Sequence, residues 1–306
     1  MTFKEDFYRE LEKNKTVLDV ESEGVLWHDT AAQISRKNAS RYNKCILIIA
    51  FCGVMFASCF FLYFSVLEAD NAILISMLAL LLLIISIYCV ANFMQFHKKY
   101  LEFRVLAETF RVQYYISRAG VEKKISQRLP LLIENDLGWI KEVLENFPND
   151  PCQKEFIKDY WINSQRKYHS NALKKASRKK KLNDFTSDAI LVLTVISYLT
   201  ILILELVVLN HFAVDNLLIF TSQDLKFYLG ILSVIALLYK SIYGKMSLSE
   251  MISNYERMIN LYDNALKEID EKGESEDLVL RLADECLAEN SLWYAFQRQN
   301  KVELVI

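Results

Sequence analysis

Two uncharged stretches follow each other almost end to end in this chain: Ile46 to Leu67, 22 residues, and Ala72 to Phe96, 25 residues, with only Glu68-Ala69-Asp70-Asn71 between them. The hydrocarbon core of a bilayer is about 30 Å thick, and about 20 apolar residues in a helix cross it. No water reaches a backbone amide there, so a spanning segment must satisfy its own hydrogen bonds, as a helix does and a lone strand does not. The spacing therefore predicts a transmembrane hairpin over 45–96, and the rest of the chain has to be compatible with it.

Two further apolar runs, Ala189 to Leu209 and Leu225 to Tyr243, predict a second hairpin over 188–243. Glu205 interrupts the third run, while Lys226 and Lys240 lie near the ends of the fourth, where their stems can snorkel to the interface. Charge then sets the orientation. Arg36 to Lys44, entering the first run, has four cations and no anion; His97-Lys98-Lys99 follows the second run and Lys174 to Lys181 precedes the third. Each hairpin tip, Glu68 to Asp70 and Asn210 to Asp224, holds acidic residues and no Lys or Arg. By the positive-inside rule the basic ends face the cytosol. Met1 to Glu10 mixes charges of both signs and lacks an apolar core, which excludes a signal peptide there.

The expected fold is an all-α integral membrane protein of the inner (cell) membrane, with four transmembrane helices in two hairpins and both termini cytoplasmic. N-terminal cytosolic helices (1–44), a basic cytosolic helical module (97–187) and a C-terminal cytosolic helical hairpin or coiled coil (244–306) complete it. Seven Gly and three Pro in 306 residues agree with long helices.

The cytosolic segments carry their own periodicity. Phe3, Phe7, Leu11 and Leu18 mark a short amphipathic helix, and a second helix is expected from near Gly24 straight into the first span. After the second span the helix is expected to continue through Tyr100, Phe103, Leu106, Phe110 and Tyr114 with one apolar face, ending at Gly120. Another element opens at Leu129-Pro130 and runs to a turn at Pro148-Asn149-Asp150-Pro151. From Met94 to Ser187, 19 Lys and Arg stand against 11 Asp and Glu, which makes this module basic. Ser247-x-x-Glu250 has a capping-box pattern. Beyond it, Leu248, Ile252, Tyr255, Ile259, Tyr262, Leu266 and Ile269 alternate spacings of four and three, a coiled-coil seam. Its partner is either a helix returning after Gly273 or the same helix of a neighbouring subunit.

Chemistry is sparse. Cys45, Cys52, Cys59 and Cys89 lie in or beside the apolar runs, Cys152 and Cys286 stand far apart, and His28, His97, His169 and His211 are scattered, so no metal or cofactor is expected. No phosphate loop, nucleophile elbow or zincin motif occurs, so an enzyme is not expected. Cys52, Gly53, Ala57 and Cys59 read as a helix-packing seam of small residues. Glu205, ionisable within a span, either pairs with Lys226 or contributes to a ring of carboxylates in a pore. Lys174, Lys175, Arg178, Lys179, Lys180 and Lys181 read as an anchor on anionic lipid, with nucleic acid the less favoured partner and no DNA expected. Arg104, Arg111 and Arg118, with Tyr114 and Tyr115, offer charge and stacking to a nucleotide-derived ligand.

Three phrases carry a resemblance: Tyr100-Leu101-Glu102-Phe103-Arg104-Val105-Leu106-Ala107-Glu108-Thr109-Phe110-Arg111; then Trp161-Ile162, Gln165, Tyr168-His169 and Asn171-Ala172; then Ala288-Glu289-Asn290 and Trp293. In this order around two hairpins, across about residues 28–300, the chain resembles the bacterial SLATT-type and four-transmembrane effector families associated with SMODS nucleotidyltransferases and SLOG domains in antiviral conflict systems. The resemblance implies an effector that multimerises and permeabilises the inner membrane on an infection signal, causing growth arrest or death. That signal would be a cyclic nucleotide or other nucleotide-derived second messenger, or a partner sensor protein. The residues themselves leave two alternatives open: a non-conducting membrane-anchored scaffold that recruits cytosolic partners, and a small ion channel or transporter outside defence. Conduction through so few helices would imply a homo-oligomer.

Overall fold

The computed structural model describes residues 2–17, 21–65, 71–148, 156–203, 206, 229–237 and 248–299, and among these the regular structure is helical without a strand. Glu205 and Lys226, both hairpin tips, Leu18, the turn residues 149–151, Cys152, Lys240 and the Ser247 cap lie outside the described residues. The helices are α1 (Phe3–Lys15), α2 (Glu23–Ser65), α3 (Asn71–Phe93), α4 (Phe96–Arg118), α5 (Leu131–Asp136), α6 (Gly138–Glu145), α7 (Asn163–Ile203), α8 (229–237), α9 (Leu248–Lys272) and α10 (Glu276–Gln299). A 3₁₀ turn at Ile125–Gln127 precedes α5, and a π-helical segment, Phe156–Ile162, leads into α7. Three helical stretches, in α2, in α3 and in α7, are long and apolar enough to cross a membrane.

The chain divides into two compact units. One comprises Tyr42–Met94 and Arg178–Ser247, the apolar unit. Its helix α3 has no charge and no buried residue. A helix apolar all round belongs either in a protein core or in lipid, and α3 is in no protein core. Leu47, Ile75 and Leu237 are likewise about two-thirds exposed. Where the third and fourth apolar runs are described they lie side by side, with Tyr198 Oη and Ser233 Oγ 3.5 Å apart. In α2, Cys52 is buried, but a side chain added at Gly53 would meet nothing within 4 Å, so no helix of the same chain approaches closely there among the described residues.

The other unit comprises Met1–Arg41, Gln95–Ser177 and Leu248–Lys301, the helical bundle. Thr2 and Glu5 start α1 with a reciprocal capping box. The bundle's centre is α4. Twelve of its 23 residues are buried, among them Phe103, Val105, Leu106, Phe110, Val112 and Ile116, and together the twelve occupy about two-thirds of the circumference; the remaining face, Arg104, Glu108 and Arg111, is half-buried against α7, α9 and α10. The single apolar face expected from periodicity is therefore too narrow a description: α4 is covered on all sides. Against it on one side lie α1 and α2, with the Phe110 ring 5.5 Å from Phe7 and 5.6 Å from Trp27. Trp139 of α6 sits 5.6 Å from Phe103, and Trp161 of the π-helical segment sits 5.2 Å from Tyr115. From α10, the Asn290 amide donates to the Val105 carbonyl at 3.1 Å.

Three local expectations change. The helix leaving α3 is not continuous, because Gln95 takes a left-handed conformation (φ 53, ψ 36) and separates α3 from α4. The element after Pro130 is two short helices, α5 and α6, interrupted at Leu137 (φ −130, ψ 40), whose side chain enters the core instead. In α9 the buried residues are Leu248, Met258, Tyr262, Ala265 and Ile269; Leu248, Tyr262 and Ile269 belong to the expected seam, while its Ile252, Tyr255, Ile259 and Leu266 are half-buried. Burial departs in part from the seam because α9 meets two neighbours: α10, and the start of α7, whose His169 ring lies 5.8 Å from both Tyr255 and Tyr262.

The seam's partner is α10 of the same chain. Gly273 (φ 80) reverses the direction, its amide closing α9 onto the Ile269 carbonyl at 2.8 Å. Arg257 to Glu285 (3.0 Å) and Arg281 to Glu268 (2.6 Å) then join the two helices. These pairs are exposed and screened by water, so they contribute little, and buried Tyr262, Leu282, Ala283 and Leu287 hold the hairpin. Gly120 (φ 78) ends α4 as expected, with the Val121 amide reaching back to the Ile116 carbonyl at 3.1 Å.

Phe110 is fully buried and contacts rings from α1, α2 and Phe147. Its truncation to Ala is expected to destabilise the bundle by about 3–5 kcal/mol, read from chemical unfolding in detergent by tryptophan fluorescence. A loss below about 1 kcal/mol would mean that α4 is not the centre of the core.

Candidate functional site

An apolar core packed around α4 has no obvious place for charge, yet this helix carries Glu102, Arg104, Glu108 and Arg111. Residues 104, 108 and 111 recur at four and three and so share one face. That face meets Tyr168 and His169 of α7, Tyr255 of α9, and Glu289, Asn290 and Trp293 of α10 around a cavity of about 20 Å³, the size of a single water.

Within the cluster, Arg111 and Glu108 form an ion pair whose side chains are 22% and 25% exposed. Arg104 lies flat on α10, its guanidinium carbon 3.9 Å from the centre of the Trp293 ring, and donates to Tyr100 Oη at 3.5 Å. This cation–π contact is worth roughly 1–2 kcal/mol where water is excluded. Asn254 donates to Glu289 Oε1 at 2.8 Å. Asn290, fully inside, also reaches Thr109 Oγ1 at 3.5 Å, so this residue locks α10 against α4. Gln165 donates to Tyr115 Oη at 2.9 Å and ties the start of α7 to the same helix.

His169 is 4% exposed and its Nδ1 has no hydrogen-bond partner among the described residues. Burial, reinforced by Arg111, lowers its pKa to about 4, so the imidazole is neutral near pH 7. Burial pushes the Glu289 carboxyl up, and repulsion from Glu108 adds to it. Burial also pushes Glu108 up, but Arg111 and Arg104 outweigh that and hold it below the ordinary carboxylate range. Two carboxylates of one cluster are thus driven apart, Glu108 towards the charged form and Glu289 towards the neutral one.

The three phrases singled out in the sequence converge here: Arg104, Glu108 and Arg111 from the first, Tyr168, His169 and Gln165 from the second, Glu289, Asn290 and Trp293 from the third. Tyr255 joins them from the α9 seam, where its hydroxyl gave no sequence signal beyond an apolar position. Arg118 donates to Tyr114 Oη at 3.2 Å and is not part of the cluster. Lys174, Lys175, Arg178, Lys179 and Lys181 lie on the exposed surface of α7 and Lys180 is half-buried. Compared with protein-family models, with curated proteins and with solved structures, the chain has no match.

The pKa directions give a pH dependence with two opposing parts. Unfolded, His169 would titrate at 6.5; folded, it resists protonation until about 4, so acid removes up to about 3 kcal/mol of stability across that window. Glu289, raised when folded, contributes the reverse: stability gained as pH falls through its raised value towards 4.5. His169→Gln should therefore flatten the acid loss of stability between pH 6.5 and 4.5, and Glu289→Gln should steepen it. Unfolding midpoints in detergent from pH 7.5 to 4.5 measure both, and parallel profiles for all three proteins would refute the assignment.

Proposed function

We propose that this chain is an effector of the bacterial inner membrane that oligomerises through its apolar helices and permeabilises the bilayer when its cytosolic bundle receives an infection signal. Its topology is four transmembrane helices in two hairpins with both termini in the cytosol. The observation that carries the proposal is the charged cluster on α4, assembled by the same three phrases on which the resemblance to the SLATT-type effectors rests. A polar arrangement buried inside a bundle has few alternative packings, and a ligand or partner that breaks it changes the bundle as a unit. Helices α2 and α7 each run without a break from bundle residues into an apolar stretch. The uncovered apolar surface of α3 is available to lipid and to other copies of the chain. The cavity at the cluster holds about one water, so a nucleotide signal would act by opening the cluster, and a partner protein by displacing one of its helices.

Induction of the chain together with its neighbouring genes, under phage challenge, should depolarise cells within minutes and admit an otherwise excluded dye. The particle in detergent should be a multiple of the 35.7 kDa chain. Normal potential throughout, with a cytosolic protein co-purifying instead, would replace the pore with a membrane-anchored scaffold.

A further inference from the structure

A second cleft lies within the bundle, between α1, α2 and the first turn of α4, with a volume of about 280 Å³. It is just below the roughly 300–1,000 Å³ of sites for drug-sized ligands, the scale of a small phosphoester or a lipid headgroup. Five cations line it, Arg9, Lys13, Lys37, Arg41 and Lys99, against two carboxylates, Asp6 and Glu10.

The pairing inside the cleft leaves charge over. Asp6 is buried and accepts from both Arg9 (2.9 Å) and Lys99 (2.8 Å), so one carboxylate serves two cations. Glu10 meets Lys13 at 3.9 Å. Lys37 and Arg41 have no acidic partner among the described residues; the Arg41 guanidinium stands only over the Phe96 ring, at 5.7 Å. They are four apart on α2, one above the other, a spacing at which like charges destabilise a helix. Such a pair is accommodated where a counter-charge arrives from outside. The walls also carry amide and hydroxyl groups: Asn14 donates to Thr30 Oγ1 at 3.0 Å and to Gln33 Oε1 at 3.3 Å.

The depth of the cleft identifies that counter-charge. Arg41 precedes Ile46, the first residue of the uncharged run, by five residues of one unbroken helix, about 7.5 Å at 1.5 Å per residue. The headgroup layer of a bilayer is roughly 5–8 Å thick on each side of the hydrocarbon, which places Arg41 at its outer edge and Lys37, one turn further along α2, about 6 Å beyond it. We infer that this cleft is a phosphate-recognition site in which Lys37 and Arg41, backed by Lys99 and Arg9, hold the phosphate of an anionic phospholipid headgroup. The inference rests on α2 spanning the membrane. The same donors would accept a soluble phosphomonoester, so source and site are tested separately.

The full chain is placed in nanodiscs of pure phosphatidylcholine or of phosphatidylcholine with one-fifth phosphatidylglycerol, and retained lipid is counted by native mass spectrometry. In a second arm, glycerol phosphate and inorganic phosphate are titrated into the zwitterionic discs. Lys37→Gln/Arg41→Gln is compared with Lys267→Gln/Lys272→Gln, which removes the same charge from the exposed surface of α9, outside both the cleft and the basic run 174–181. Retained phosphatidylglycerol is expected to fall roughly tenfold to thirtyfold in the cleft variant and to be unchanged in the control. Saturable binding of glycerol phosphate lost only in the cleft variant, without lipid enrichment, would keep the site and reassign its source to a soluble phosphoester. Equal behaviour of the two variants in both arms overturns the site. If the chain is soluble without detergent and does not enter the discs, α2 is not a span; the lipid source then falls and the phosphate arm alone decides the site.

Discussion

A charged residue on a helix covered on every side can be kept only if each neighbour supplies part of its solvation, and α4 places four charges in that position. Glu102 takes a hydrogen bond from Trp139 of α6 at 2.8 Å, Arg104 lies on Trp293 of α10, and Glu108 and Arg111 answer each other beside His169 of α7. Net stabilisation from such buried pairs is small, because desolvation cancels most of the attraction. Their effect is selective: an arrangement that leaves any one of them unpaired costs several kcal/mol, so α6, α7 and α10 are confined to one set of positions around α4. Aromatic packing supplies the bulk of the stability, and the polar groups decide which packing it is.

The same logic separates α3 from α4, which are adjacent in sequence and opposite in kind. Helix α3 has no charge and no buried side chain; α4 has charges and is mostly buried. One needs an apolar solvent and the other makes its own, and the chain changes from one to the other at Gln95, its one non-glycine residue with positive φ among those described. A left-handed residue without glycine is a strained choice, and its place between two such helices is consistent with a break set by packing rather than by local preference.

Charge distribution outside the core follows a different rule. The α9 and α10 pairs, and Arg128 with Asp284, are exposed and weak. The cations of the cleft at Lys37 and Arg41, by contrast, are held together by the helix that carries them and have no acidic partner among the described residues. Surface pairs of the first kind are tolerated ornament, whereas uncompensated charge close to an apolar run belongs to whatever occupies the interface.

Periodicity and composition by themselves determined the helical class, the apolar stretches of α2, α3 and α7, the cap at Gly120 and the reversal at Gly273, because each depends on local geometry or on a transfer energy summed along the chain. The three phrases that meet at the cluster were visible as phrases, but not as a site. Arg104, Arg111 and Arg118 looked equally available, and only the fold put the first two inside and the third on Tyr114. Tertiary structure alone decided that α4 is covered on all sides, that the α9 stripe runs through Met258 and Ala265, and that Lys37, Arg41 and Lys99 share a cleft. The physical reason is common to all three: a pattern along one helix records how much of it is apolar, whereas which neighbour covers each face is set by contacts between residues far apart in sequence, as between Val105 and Asn290, 185 positions apart.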